Sequence, residues 1–156
     1  MKPAASARPR YTLQDSAQTL RDGLAEYHAA NAGLLDPGNM APEAAALFRQ
    51  HDAAHVLFGC DTTLRGETLI DTWTIFGSSI GLRGYLAYLR LPQVNQIFSE
   101  TGRLRILLEL LRCSPDVLRV ISRSRRMARA WPWREYPQHL ERPLRELREE
   151  FAIRVV

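Results

Sequence analysis

From Pro42 to Phe76 the chain reads as two helices joined by a connection short enough to force an antiparallel hairpin. Pro42 sits where a helix begins, because its missing N–H costs nothing in the first turn. The helix it opens runs to about Phe58 and stops at Gly59, which suits a left-handed C-cap. Asp61, Thr62 and Thr63 are all N-cap residue types, so the next helix starts there and reaches Phe76 or beyond.

The other segments are helical as well. No run alternates with the period of a strand, and no repeat or low-complexity stretch is present. Leu13, Ala17, Leu20, Leu24 and Tyr27 form the stripe of a first helix from about Asp15 to Asn31. Asp36-Pro37-Gly38-Asn39 has the chemistry of a turn. Gly77, Gly81 and Gly84 are possible breaks after the hairpin. Leu91-Pro92 opens a segment over about Gln93–Ser99, and Gly102 separates it from an apolar stretch from Leu104 to Leu111. Ser114-Pro115-Asp116 starts a basic helix that ends before Trp131-Pro132-Trp133, and a last helix covers about Leu140 to Phe151. The expected architecture is all-α, a bundle of about six or seven helices. With 156 residues the chain fits one domain over 11–156, after a flexible N-terminal segment over 1–10.

The net charge is +4, carried almost wholly by arginine, with Lys2 the only lysine. Arginine binds phosphate bidentately, and Arg119, Arg123, Arg125, Arg126 and Arg129 suit anionic lipid headgroups or a phosphate, and a solvated helix face equally. No nucleic-acid-binding motif accompanies them, so a nucleic-acid partner is not expected. Cys60 and Cys113 show no redox or metal spacing and read as reduced thiols of a cytoplasmic protein. The most apolar stretch, Thr72 to Leu82, is far shorter than the ~20 residues that span a bilayer. A soluble chain, or one peripheral on the inner face of the cytoplasmic membrane, is expected.

The chemistry concentrates in HDAAHVLFGCDTTLRGE, from His51 to Glu67. His51 and His55 stand one helical turn apart on one face and can share a metal ion. Asp52 reaches the edge of that face, as a ligand or as a partner orienting an imidazole. Hairpin arithmetic brings Glu67 to the height of His55: one lies a turn before the connection, the other a turn after it. Gly66 lets another group approach the ion or eases helix packing. Two histidines with one or two carboxylates suit zinc, iron, manganese or cobalt, with positions left open for water or substrate. HD-type phosphohydrolases also use an adjacent His-Asp pair, but they need further ligands that His28 and His139 do not supply in convincing context.

At these residues the chain resembles the Coq-four family, the fourth Coq component of ubiquinone (coenzyme Q) biosynthesis. HDxxH, then eleven residues and Glu, is that family's signature, and Pro143-Leu144-Arg145-Glu146-Leu147-Arg148-Glu149-Glu150-Phe151 with Ile153 resembles its tail. The similarity runs from about Leu47 to the C-terminus and is closest to the short bacterial members. It implies an all-helical protein whose ion, usually described as zinc, is held by His51, Asp52, His55 and Glu67, which are then also the catalytic residues. It implies oxidative removal of the C1 carboxyl of a prenylated aromatic quinone precursor, with hydroxyl in its place. The alternative role is a lipid-binding scaffold for other quinone-biosynthesis proteins with a structural metal. A homodimer is compatible with either. Leu104, Ile106, Leu107, Leu108, Leu110 and Leu111 would line a groove for the prenyl tail or form plain core. Trp73, Phe76, Tyr85 and Tyr88 would be pocket walls or structural.

Overall fold

The computed structural model describes residues 8–33, 37–92 and 103–156. Among them are seven α-helices and three 3₁₀ turns, and no strand beyond two isolated bridges. The helices are α1 (Leu20–Ala30), α2 (Pro42–Phe58), α3 (Leu64–Gly77), α4 (Gly81–Tyr88), α5 (Arg103–Arg112), α6 (Ser114–Ser124) and α7 (Leu144–Glu150). The all-α expectation holds. The segment expected over Gln93–Ser99 lies outside the described residues.

The hairpin is the centre of the molecule. Every residue of α2 from His51 to Phe58 is buried, so this helix is enclosed on all sides rather than amphipathic. Gly59 caps it at φ 69°, the left-handed geometry that glycine adopts without strain. Thr63 caps α3, its hydroxyl accepting from the Gly66 N–H at 3.1 Å. Phe58 and Trp73 stack with centroids 4.6 Å apart and fasten α2 to α3. Leu20, Tyr27, Leu57, Val120, Trp131, Leu144 and Phe151 complete the main core, so α1, α6 and α7 all close on the hairpin.

Two boundaries differ from the periodicity. α1 starts at Leu20, not near Asp15, because Thr19 and Asp22 form a reciprocal capping box, with bonds of 3.1 and 3.2 Å. Leu13 and Ala17 of the expected stripe therefore lie outside the helix and are exposed. The last helix starts at Leu144, because Trp133–His139 is a 3₁₀ turn and Pro143 stands at the N-cap. The Leu104–Leu111 stretch is helical, but Leu108, Leu110 and Leu111 are exposed rather than core.

One buried cation ties the ends of the chain to α2. Arg148 has no exposed surface and donates to the carbonyls of Leu57, Val56, Tyr11, Leu13 and Gln14. Val56 and Leu57 belong to the last turn of α2, where unpaired carbonyls and the negative end of the helix dipole favour a cation. Burial lowers the Arg148 pKa to about 10, so it remains charged at neutral pH. The C-terminal end of the ligand-bearing helix is thereby fixed.

Candidate metal centre

His51 and His55 point from α2 toward α3, where Glu67 stands one turn past the N-cap. His51 Nε2 and His55 Nε2 are 3.1 Å apart. The Glu67 carboxylate lies 3.6 Å from His51 Nε2 and 3.5 Å from His55 Nε2. Two ligand atoms held about 2.0–2.1 Å from one tetrahedral ion lie about 3.3–3.4 Å apart. The imidazole–imidazole distance and the distances from His51 to Glu67 Oε2 and from His55 to Glu67 Oε1 all come within a few tenths of an ångström of that separation. The group could hold a metal ion.

The imidazoles are held from behind. His55 Nδ1 lies 3.1 Å from the Cys60 carbonyl oxygen, which can only accept. Nδ1 therefore carries the proton, and Nε2 presents its lone pair to the centre. The Cys60 N–H in turn donates to the His55 carbonyl at 2.9 Å, so the Gly59 cap itself orients the ring. Tyr27 of α1 stacks on His55 with centroids 5.2 Å apart, and Tyr88 of α4 stacks on His51 at 5.3 Å. Neither ring can swing away without displacing a buried aromatic.

The electrostatics suit a cation. Burial disfavours a charged His51, but the adjacent Glu67 carboxylate, with Asp71 and Asp52, outweighs it and raises the pKa. Burial also works against a charged Glu67, yet the two imidazoles hold its carboxyl well below the usual range. In the metal-free protein a proton on His51 thus occupies the charge position that an ion would take. His55 is wholly buried, whereas the Glu67 side chain remains 41% exposed. The centre is closed by protein on the α2 side and open on the α3 side.

Asp52 is not brought into the group. Its Oδ2 lies 2.9 Å from Nε2 of His28 in the last turn of α1. Of the four residues expected to bind metal, three converge and the fourth orients a histidine from another helix. His139 sits half-buried against Trp131 and Phe151. Cys60 is buried, and burial with nearby Asp61 and Glu67 drives its thiol far above the usual range, which is wrong for a thiolate ligand. It lines a cavity of about 430 Å³ with Asp61, Arg65, Gly66 and Arg8.

Asp71 joins the site unforeseen. It lies one turn after Glu67 on the same face of α3, a spacing visible in the sequence. Burial raises its pKa to about 6, with Glu67 adding to the rise; His51, a hydrogen bond from Tyr85, and His55 oppose it. Tyr85 and Tyr88 therefore serve the site, as bond donor and as ring support. Trp73 is core, and Phe76 is half-exposed. Gly66 is packed against Asp61, where an added Cβ would meet the Asp61 carbonyl at 2.1 Å. It serves the tightness of the turn.

Among the described residues no helix is long and apolar enough to cross a membrane. No protein-family model, curated protein or solved structure gives a significant match to this chain.

Proposed function

We propose that the chain is a metalloenzyme of ubiquinone biosynthesis that replaces the C1 carboxyl of a prenylated aromatic acid by hydroxyl. The observation behind the metal is the convergence of His51 Nε2, His55 Nε2 and the Glu67 carboxylate, the imidazoles 3.1 Å apart and each 3.5 or 3.6 Å from one carboxylate oxygen. The pathway rests on the likeness of the His51–Glu67 stretch and of the tail to the Coq-four family. Three protein ligands with one exposed side leave coordination positions open, as in catalytic rather than structural sites. A bound divalent ion, zinc by resemblance and iron, manganese or cobalt by donor type, supplies Lewis acidity there.

The chain's own residues do the rest. His55 is fixed by the Cys60 carbonyl, and Tyr27 and Tyr88 keep water from the rear of the site. Asp71, with a pKa raised to about 6, can accept or return a proton near neutral pH. Per ring acid, the carboxyl leaves as carbon dioxide, water supplies the hydroxyl oxygen, and dioxygen takes up the two electrons and two protons and leaves as hydrogen peroxide. The test is metal analysis of the purified protein combined with turnover of a C1-carboxylated prenylphenol. His55→Ala is expected to lose both metal and turnover. Full activity in metal-free His55→Ala protein would sink the reading.

A second reading, a lipid-binding scaffold, is favoured by the exposed Leu108, Leu110, Leu111 and Leu118. It predicts sedimentation with anionic vesicles that metal removal leaves unchanged, together with no turnover of the ring acid.

A further inference from the structure

We infer that Arg123, Arg126 and Arg154 form a binding site for a phosphoryl group, separate from the metal centre and independent of the function proposed for it. The three arginines line one open cavity of about 370 Å³, shared with Gln14, Ala152 and Val155. No carboxylate side chain lines it. Several other arginines meet acids: Arg21 pairs with Glu141, Arg65 and Arg119 with Asp116, and Arg129 and Arg142 with Glu150. Arg123, Arg126 and Arg154 have no such partner among the described residues.

The walls are built. Arg123 is half-buried, and its Nη1 donates to the carbonyls of Arg154 and Val155, which holds the guanidinium in one orientation. Gln14 clasps the same segment from the other side, donating to the Ile153 carbonyl at 3.0 Å and accepting from the Val155 N–H at 2.8 Å. Ala152 holds φ 54°, a left-handed conformation rare for an L-residue, and turns the chain so that Arg154 faces α6. Arg123 alone could be explained by the negative end of α6, whose last turn it occupies. Arg154 could not, because it arrives from a segment 31 residues further along. Guanidinium forks approaching from two segments fit the several oxygens of a tetrahedral, multiply charged anion better than the two of a carboxylate. The phosphoryl group could be a free phosphate or a lipid headgroup.

The experiment titrates inorganic phosphate into the full chain and follows the arginine side-chain N–H resonances. Arg126→Ala/Arg154→Ala leaves Arg123 and the clasp intact. Arg134→Ala/Arg145→Ala removes the same charge from exposed positions outside the cavity. Saturable binding is expected, weakened about tenfold or more by the first pair and less than about twofold by the second. Absence of saturable binding, or equal weakening by both pairs, overturns the site. A second arm sediments phosphatidylcholine vesicles with and without phosphatidic acid. Capture that needs Arg126 and Arg154 and is competed by phosphate identifies a headgroup. Saturable phosphate binding without vesicle capture identifies a free phosphate or a phosphorylated solute. Vesicle capture that survives loss of both arginines, with no saturable phosphate effect, overturns the site.

Discussion

His51 Nε2 and His55 Nε2 stand 3.1 Å apart on successive turns of one helix, with the same Glu67 carboxylate facing both. A proton on His51 is a poor substitute for a divalent ion at that point, since an ion can bond both imidazoles and the carboxylate at once. The three side chains are pre-placed, so binding requires little rearrangement.

Glu67→Gln tests the ligand set with little risk to the fold, because its side chain is 41% exposed and the amide has the same shape. Loss of the anionic ligand is expected to weaken zinc or cobalt binding by about a hundredfold. The thermal midpoint of the metal-free protein at neutral pH should move by only a few degrees. Competition against a chromophoric chelator gives the affinity, and unchanged affinity would remove Glu67 from the ligand set.

Metal affinity and metal-free stability should run in opposite directions with pH. The His51 pKa is raised above 6.5 in the folded protein. A raised folded pKa stabilises the protein at pH below 6.5, and that contribution is lost as pH climbs through the folded value. The melting temperature of metal-free protein is therefore expected to fall across that range. A metal ion must displace the same proton, so log K should rise by about one per pH unit over the same range. Glu67→Gln removes the main cause of the raised pKa and should flatten His51's share of the stability slope. A pH-independent metal affinity would contradict the assignment of His51.

Much of this is legible in the sequence. The hairpin follows from Pro42, Gly59 and the Asp61–Thr63 cluster, and the height match of His55 and Glu67 follows from the hairpin. Those signals are local, and local chemistry decides them. The partner of Asp52 was not legible, because His28 reaches it only through the docking of α1, and no spacing rule connects positions on separate helices. The start of α1 is a different kind of case. Thr19 and Asp22 carry a readable capping box, but the apolar residues at Leu13 and Ala17 extend the stripe past it. Asp71 stands four residues after Glu67 and was readable by the same rule that pairs His51 with His55.

Asp71→Asn should stabilise the metal-free protein above pH 6. Burial raises the Asp71 carboxyl to about 6. The charged form is thus the disfavoured one, and stability falls as pH rises from the unfolded value near 4 through about 6. The amide avoids that penalty and can still accept from Tyr85. The expected gain at pH 8 is on the order of 3 kcal/mol, vanishing below pH 4. Chemical denaturation at the two pH values measures it, and equal gains at both would refute the argument.

Arg148→Ala should be among the most damaging single changes in the chain. It leaves five carbonyls without their donor, those of Leu57, Val56 and Tyr11 in buried bonds and those of Leu13 and Gln14 in part-buried ones. The cost is on the order of 4 kcal/mol. For a chain of this size that corresponds to a melting point lower by roughly 10 °C. Arg148→Lys keeps the charge but loses the planar fork that reaches carbonyls on two sides, so it should recover less than half of the loss. A lysine variant as stable as the parent would show that charge alone holds the two segments together.

Gly66→Ala probes how the connection sets the metal centre. The added methyl would meet the Asp61 carbonyl oxygen at 2.1 Å and its side-chain oxygen at 2.2 Å, so the turn must open. Asp61 Oδ1 also accepts from the Thr63 N–H at 3.1 Å and from the Thr63 hydroxyl, so the N-cap of α3 moves with it. Glu67 lies one turn further and is carried along, while His51 and His55 stay fixed by α2 and the Cys60 carbonyl. The expected cost is on the order of 3 kcal/mol in stability. Metal affinity should fall about tenfold or more although every ligand is present. Glu67→Gln on the Gly66→Ala background then costs less affinity than it does alone, because the carboxylate has already been displaced. Fully additive losses in that cycle would mean that the turn and the ligand position are uncoupled.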